Sequence, residues 1–269
     1  MSKELFSLKG KVAVVTGALG LLGKNHCCAL SEAGANVVVA DINENYCKKF
    51  AETLTTKSIG IGCDITNSES VEKLKDTVLK NFGKIDILVN NAAINDMFES
   101  PTAATEQSKF ENYPLNLWQK SLDVNLTGTF LCSQILGSEM AKAGTGSIIN
   151  IASTYGIVSP NQSIYKKENG EQAFYKSAAY PVTKGAIISF TRFLAAYWGD
   201  KGVRVNTLSP GGVENNQDEY FIKNYSQATP LRRMAQPTDY KGAIVFLASD
   251  ASSYMTGANL VIDGGWTAW

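Results

Sequence analysis

The stretch TGALGLLG, residues 16–23, closes an apolar run, KVAVVT (11–16), and opens a helical pattern that begins near residue 20. Gly17, Gly20 and Gly23 stand three apart, a spacing that matches neither GxGxxG nor GxxxGxG. In a first strand-to-helix turn the glycines have separate tasks. Gly17 permits the tight turn, Gly20 clears the backbone for a pyrophosphate, and Gly23 lets the helix pack closely on the strand. The helix N-terminus then offers N–H groups and the positive end of its dipole to phosphates. A second strand, NVVVAD (36–41), ends on Asp41, 24 residues after Gly17. From there a carboxylate accepts hydrogen bonds from the ribose hydroxyls of an adenine dinucleotide. Leu19, Leu21 and Leu22 in the loop and Ile42 beside the acid complete the expected contact.

Five more runs of similar character follow: SIGIGCD (58–64), KIDILVN (84–90), GSIINIA (146–152), VRVNTLS (203–209) and ANLVIDG (258–264). They are apolar nearly throughout instead of alternating, the pattern of parallel strands covered on both faces. Helical patterns lie near 20–33, 44–55, 67–82, 116–141, 178–200 and 238–248. Thr66 with Glu69 reads as a capping box ahead of the third. Strands alternating with helices predict one α/β domain over residues 1–269, a Rossmann-type doubly wound parallel sheet of about seven strands.

Two polar stretches interrupt this rhythm, residues 94–115 and 157–177. Loops of such length in a compact domain are usually functional or disordered. Both leave strand ends on the edge where ligands bind in doubly wound folds. They are therefore expected to cover the substrate site and to select a polar substrate. Asn95, Asp96, Glu99, Asn161, Lys166, Lys167 and Glu171 offer hydrogen bonds, and Phe98, Tyr165 and Phe174 offer rings to stack on sugars.

Lys+Arg and Asp+Glu number 25 each, a formal net charge of zero, which speaks against a nucleic-acid or membrane-surface protein. Cysteines 27, 28, 47, 63 and 132 form no CxxC and His26 is the single histidine, so neither a zinc site nor a His-based triad is expected. Residues 1–10 lack the apolar core of a signal peptide, and no run approaches the roughly 20 apolar residues of a membrane span. A reduced, soluble, cytoplasmic protein is the expectation. His26, Cys27 and Cys28 read as packing residues. Arg232 and Arg233 either meet a substrate phosphate or, more simply for Arg233, anchor the loop before the last helix. Trp266 and Trp269 either pack the tail or cover a neighbouring subunit's site.

Tyr180-Pro-Val-Thr-Lys184 opens a long apolar helix and places Lys184 one turn after Tyr180 on the same face. An ammonium near a phenol favours the phenolate, lowering a pKa that starts near ~10. The pair suits a general acid/base for a hydroxyl or carbonyl oxygen. A second match, Tyr197 to Lys201, falls at the far end of the same helix with no partner serine and reads as packing. Ser153 follows the fifth strand and Asn125 lies in the helix before it. Asp64 closes the third strand, either beside an adenine or as a turn residue. Asn90-Asn91-Ala92-Ala93 ends the fourth, where small residues leave room for a cofactor and amides can pin neighbouring strands.

Asn125, Ser153, Tyr180 and Lys184 together resemble the catalytic tetrad of the short-chain dehydrogenase/reductase family. The resemblance runs from Leu8 to Gly265 and also rests on TGALGLLG, Asp64, NNAA (90–93), DVNLTG (123–128), INIAS (149–153), SPGGV (209–213) and VIDGG (261–265). It implies an NAD-dependent oxidoreductase interconverting a secondary alcohol and a ketone. Tyr180 would exchange the proton of the substrate oxygen, Lys184 bind the nicotinamide ribose, Ser153 orient the carbonyl and Asn125 hold a water of the proton relay. It also implies cofactor contacts at Asp64, Ile65, Asn91, Ala92, Ala93, Pro210, Gly211 and Val213. The chain is loosely similar to bacterial members linked to flagellin or cell-surface sugar modification, which points to a sugar-derived substrate. A ketoacyl reductase of lipid synthesis and a cofactor-sensing regulator that kept the fold are the alternatives.

The chain departs from the family pattern in four places. Leu21 stands where members of this length usually carry glycine, NNAA replaces the usual NNAG, and Asn215 replaces a threonine that often contacts the nicotinamide carboxamide. Ser153 and Tyr180 are 27 residues apart, more than the family norm. The even glycine spacing is similar to the family's extended branch, yet only 59 residues follow Pro210, too few for that branch's substrate domain. Asp41 without a nearby cation predicts NAD over NADP. The helix from Tyr180 to Gly199 and the 116–141 helix are apolar nearly all round, so a homo-oligomer, a tetramer, is expected.

Overall fold

The β-branched runs form seven strands: β1 Val12–Thr16, β2 Asn36–Asp41, β3 Ile59–Gly62, β4 Ile87–Asn90, β5 Gly146–Ile151, β6 Val203–Pro210 and β7 Asn259–Ile262. The computed structural model describes residues 2–95 and 105–269. Every pairing is parallel, in the order β3-β2-β1-β4-β5-β6-β7. The helices that position the site are α1 Leu21–Glu32, α2 Glu44–Ala51, α3 Ser68–Phe82, α4 Leu115–Leu122, α5 Gly128–Ala143, α6 Ala179–Trp198, α7 Glu219–Ala228 and α8 Lys241–Ala248.

Successive strand residues point to opposite faces, and here both faces are covered. Ala13, Val15, Val37, Val39 and Ile149 join Leu30 of α1 and Ile244 and Leu247 of α8 in one core. Val12, Val14, Val38, Leu88 and Ile148 join Leu74 of α3, Leu136 of α5 and Trp198 of α6 in the other. This two-sided burial explains the unbroken apolarity of the strands. Because β1 lies between β2 and β4, the connections diverge there and a crevice opens beyond the strands' carboxyl ends.

A buried polar ladder stiffens the floor of that crevice. Asn90 Nδ2 donates to Asn150 Oδ1 (2.8 Å) and to Ser133 Oγ (3.0 Å), and Asn150 Nδ2 donates to Thr191 Oγ1 at 2.9 Å. Thr207 Oγ1 donates to the same hydroxyl at 2.8 Å. β4, β5 and β6 are thus pinned to α5 and α6, as the amides of the NNAA segment led one to expect.

Three local readings change. The cap of α3 is Asn67, whose side chain accepts from Ser70 N–H, because Asp64 Oδ1 takes both the N–H and the hydroxyl of Thr66. The 116–141 helix is two helices joined by a π-helical turn, Asp123–Thr127. And α7, capped by Asp218, stands where no helix was expected. Its signal was that cap ahead of Phe221, Ile222 and Tyr225 at helical spacing. Among the described residues no helix is long and apolar enough to cross a membrane.

His26 lies on α1, fully buried, and neither ring nitrogen has a hydrogen-bond partner among the described residues. Burial disfavours the charged ring and lowers its pKa to about 4. The unfolded chain therefore takes up a proton at pH values where the folded chain does not. Stability from this site is complete above about pH 6.5 and is lost as pH falls toward 4. Relative to His26→Leu, the wild type is expected to lose about 3 kcal/mol between pH 7 and pH 4. Urea unfolding of both proteins across that range measures it; a constant difference would contradict the assignment.

Candidate active site

A cleft of about 980 Å³ lies along the carboxyl ends of the strands. Its first wall is the glycine loop. Gly17 has φ +59°, and a Cβ there would lie 2.6 Å from Ala92 Cα. Asn91 locks the approach: its Nδ2 donates to the carbonyls of Thr16 (3.0 Å) and Gly17 (2.9 Å). Gly23 faces away from the cleft, where a Cβ would come within 2.2 Å of the Gly17 carbonyl oxygen. Gly20 caps α1 in an extended conformation with no side-chain hydrogen bond to the first turn. A Cβ there would meet the Gly17 carbonyl oxygen at 3.3 Å, a tighter approach than an ordinary van der Waals contact but far looser than at Gly17 or Gly23.

Asp41 closes this end. Its Oδ2 accepts the Leu19 N–H at 3.0 Å and its Oδ1 the Ile42 N–H at 2.8 Å, which fixes the carboxylate at the cleft. Leu19, Leu21, Leu22, Ile42, Ile65, Ala92, Ala93, Pro210, Gly211 and Val213 share the wall. Asp64 also lines it, while its carboxylate serves the turn with Thr66. The cradle, with a helix N-terminus, two glycines and an anchored acid, fits an adenine dinucleotide.

Ser153, Tyr180 and Lys184 line the same cleft. Ser153 follows β5 and caps a tight turn, Thr154–Gly156, its Oγ accepting the Tyr155 N–H at 3.2 Å. A Cβ on Gly156 would lie 2.7 Å from the Lys184 main chain, so the missing side chain lets this turn settle against α6. The 27-residue separation of Ser153 and Tyr180 thus closes in space. Lys184 Nζ donates to the Ile151 carbonyl at 2.7 Å and stands 5.6 Å from the centre of the Tyr180 ring.

Burial governs the electrostatics. It pushes the Lys184 ammonium down to about 8 and holds the Tyr180 phenol above its ordinary value, with the hydrogen bond to Ser153 acting in the opposite direction. The expected depression of the tyrosine by Lys184 is therefore not the dominant effect in the protein alone. Desolvation outweighs it, and the ammonium is turned to a carbonyl.

Asn125 sits in the π-helical turn, fully buried and behind the cleft wall. Its Oδ1 accepts the Ile94 N–H at 2.8 Å, and its Nδ2 donates to the Ile94 carbonyl (3.1 Å) and to Thr183 Oγ1 (3.2 Å). These bonds brace the exit of β4 against α6. Single π-helical turns commonly mark functional positions.

The far end of the cleft is aromatic. Tyr155 and Tyr165 share a hydroxyl–hydroxyl bond of 2.8 Å, Tyr165 stacks on Phe221, and Tyr225 stacks on Trp266 at 4.2 Å. Sequence reasoning missed Tyr155, Phe221, Tyr225, Met234 and Lys120 on this wall; Tyr155, two residues after Ser153, was the most accessible signal. The second insertion does reach the cleft, through Tyr165. Its polar residues Lys166, Lys167, Glu168, Asn169 and Glu171 are instead exposed at a tip closed by a Lys166–Gln172 bridge. Asp96, Phe98 and Glu99 of the first insertion lie outside the described residues.

Arg233 pairs with Asp239 at 2.6 Å, and Arg232 donates to the Gln227 carbonyl, so both anchor loops. Trp266 is buried on Tyr225, and Trp269 Nε1 donates to the Ala228 carbonyl at 3.1 Å, both within their own chain.

A family model described as enoyl-(acyl carrier protein) reductase matches residues 17–267. An NAD-dependent glycerol dehydrogenase from Listeria innocua is 34% identical over 267 residues, covering 97% of this chain and 96% of the relative. A D-threitol dehydrogenase from Mycolicibacterium smegmatis is 35% identical over 270 residues, covering 97% and 95%. Among solved structures, a gluconate 5-dehydrogenase from Burkholderia cenocepacia J2315 in complex with NADP and tartrate superposes with a TM-score of 0.86 at 29% identity, both chains fully covered. A short-chain type dehydrogenase/reductase from Mycobacterium marinum gives a TM-score of 0.85 at 32% identity, again with full coverage. With these matches, the seven-stranded parallel sheet and the cleft at its carboxyl edge, the chain belongs to the short-chain dehydrogenase/reductase family of nicotinamide-dependent oxidoreductases, and the relatives named above are dehydrogenases of CH–OH groups.

Proposed function

We propose that this protein is an NAD-dependent dehydrogenase that interconverts a secondary alcohol and a ketone on a small polyol or sugar-derived substrate. The observation that carries this reading is the placement of Ser153, Tyr180 and Lys184 on one wall of the cleft that begins at the glycine loop and Asp41. Gly17, Gly20 and the first turn of α1 would hold the pyrophosphate, Asp41 the adenosine ribose, and Lys184 the nicotinamide ribose. The bound nicotinamide supplies a hydride acceptor or donor. In alcohol oxidation Tyr180 Oη takes the hydroxyl proton, and in ketone reduction it returns one. Ser153 Oγ holds the substrate oxygen beside it. Asn125 keeps the β4 exit and Thr183 fixed, so the helix carrying Tyr180 does not drift from the cofactor strand. Asn95, Asn215, Gln217 and the tyrosine hydroxyls offer a polar chain several partners at the substrate end. The glycerol and D-threitol dehydrogenases among the relatives support this substrate class.

In a nicotinamide-absorbance screen of polyols and sugars, with long-chain ketoacyl thioesters as the contrast, the small polar alcohols are expected to turn over best. Tyr180→Phe should lower kcat by about 10²- to 10⁴-fold while leaving NADH affinity nearly intact. Activity within a few-fold of wild type, or preference for the thioesters, would defeat the reading.

The preference for NAD rests on Asp41. Both carboxylate oxygens are fixed by backbone N–H groups at the cleft, and the adjoining Ala18, Leu19, Ile42 and Asn43 bring no cation. A 2′-phosphate would meet an uncompensated negative charge. Fluorescence titration is expected to show NADH binding at least about tenfold tighter than NADPH; equal or reversed affinities would contradict it.

The tetramer is proposed from an apolar stripe on α5 and α6. Phe130, Phe190, Phe193 and Tyr197 form a row with ring centres 6.2, 6.5 and 5.8 Å apart, the first pair tilted and the others stacked. Phe193 is 60% exposed and Tyr197 58% exposed. Two copies of this stripe related by a two-fold axis would cover each other, as one of the interfaces of such a tetramer. Light scattering should give four subunits at micromolar concentration, and Phe193→Lys should reduce that number; a wild-type monomer would contradict the assignment.

A further inference from the structure

Lys176 closes the second insertion four residues before Tyr180 and is 4% exposed. Its ammonium lies over the Tyr180 ring, 4.6 Å from the ring centre, nearer than that of Lys184 at 5.6 Å. The same ammonium donates to Asn95 Oδ1, on the cleft wall at the exit of β4. The Lys176 main chain is held from both sides by one amide. Its N–H donates to Gln162 Oε1 at 2.8 Å, and Gln162 Nε2 donates to its carbonyl at 3.1 Å. Neighbouring bonds tie the segment to the first insertion: Tyr175 N–H donates to Ser108 Oγ (2.9 Å) and Thr105 Oγ1 to the Ala173 carbonyl (2.9 Å). The described parts of the two insertions are thus bonded to each other, and a buried lysine sits where they meet the tyrosine.

Lysine is among the residues least often fully buried, because its ammonium gives up water. A phenol ring attracts a cation over its face. The attraction strengthens when the phenol ionises, since the phenolate charge spreads into the ring. The ammonium therefore acts unequally on the two protonation states of Tyr180, which a merely structural lysine would not do. The titratable and hydroxyl groups facing Tyr180 among the described residues are Ser153, Lys184, Tyr155 and Tyr165. Burial pushes the Tyr155 phenol up to about 12 and that of Tyr165 well above its ordinary value, so both stay neutral near pH 7.

We propose that Lys176 is a second positioning cation for the reaction, holding the Tyr180 ring by its face, favouring its phenolate, and coupling that state to the insertions through Asn95. The inference rests on the reading of Tyr180 as the general acid/base, and its test is independent of the substrate.

In NAD⁺-saturated protein carrying tyrosine labelled with ¹³C at Cζ, the Tyr180 signal, identified by its loss in Tyr180→Phe, is followed against pH. Lys176→Met is expected to raise the midpoint by about one unit or more, in line with the effect of a cation within ~4–6 Å. Lys176→Arg, which keeps the charge, should stay within about half a unit of wild type. Lys176→Gln keeps a donor for Asn95 and loses only the charge; it should shift like the methionine variant and carries the test if that variant does not fold. A midpoint unmoved by loss of the charge overturns the proposal, even if thermal stability falls. A midpoint unmoved in Lys184→Ala as well, or turnover surviving in Tyr180→Phe, would instead fault the assignment of Tyr180.

Discussion

The absence of a side chain at Gly17 allows the loop after β1 and the end of β4 to meet at a distance no other residue permits. A methyl group there would overlap the Ala92 backbone, and the positive φ adds strain for any L side chain. Through that contact Asn91 reaches the Thr16 and Gly17 carbonyls, and the loop is held open toward the cleft. The same device recurs at the chemical end, where Gly156 brings the turn after Ser153 onto the main chain at Lys184. Two close approaches between backbones, one at each end of the cleft, therefore help set the distance between the glycine loop and the helix that carries Tyr180 and Lys184.

Around those approaches the protein uses burial more than ion pairing. Lys184 and Lys176 are both buried, as is the polar ladder of Asn90, Asn150, Thr191 and Thr207. Such groups are costly to desolvate and are retained where each finds partners. Lys184 has the Ile151 carbonyl, Lys176 has Asn95 and the face of Tyr180, and the ladder's amides and hydroxyls bond one another across three strands, with Asn90 Oδ1 left without a partner among the described residues. The result is a rigid site whose charges sit in a low-dielectric setting, where they act on a neighbouring phenol with little screening. The outer salt bridges, such as Lys48–Glu44, join exposed side chains and contribute little by comparison.

The substrate end follows a different logic. The second insertion turns inward with Tyr165 and Ile164 and packs them on Phe221 and Tyr225 of α7, giving it a small core of its own. Its charged residues remain on an exposed tip. Selectivity would then come from hydroxyls and amides set among aromatic rings, an arrangement that suits a compact hydroxylated molecule.

The strands, their parallel pairing and the dinucleotide end were legible in the linear sequence, because each depends on local pattern. Unbroken β-branched runs require cover on both faces, and glycine spacing sets a loop's shape. Tyr180 and Lys184 stood out by their spacing and Ser153 through the resemblance to the family, and the fold brings the three to one wall of the cleft. What only the tertiary structure decided is how residues distant in the chain face one another. No spacing shows that Asn67 replaces Thr66 as a cap once Asp64 captures the threonine, or that Asn125 braces Ile94 and Thr183. Nor does it show that the polar insertion turns its charges outward and one buried lysine inward. Those outcomes depend on competition among partners for the same hydrogen bonds and the same buried space, which is settled only when the chain has folded.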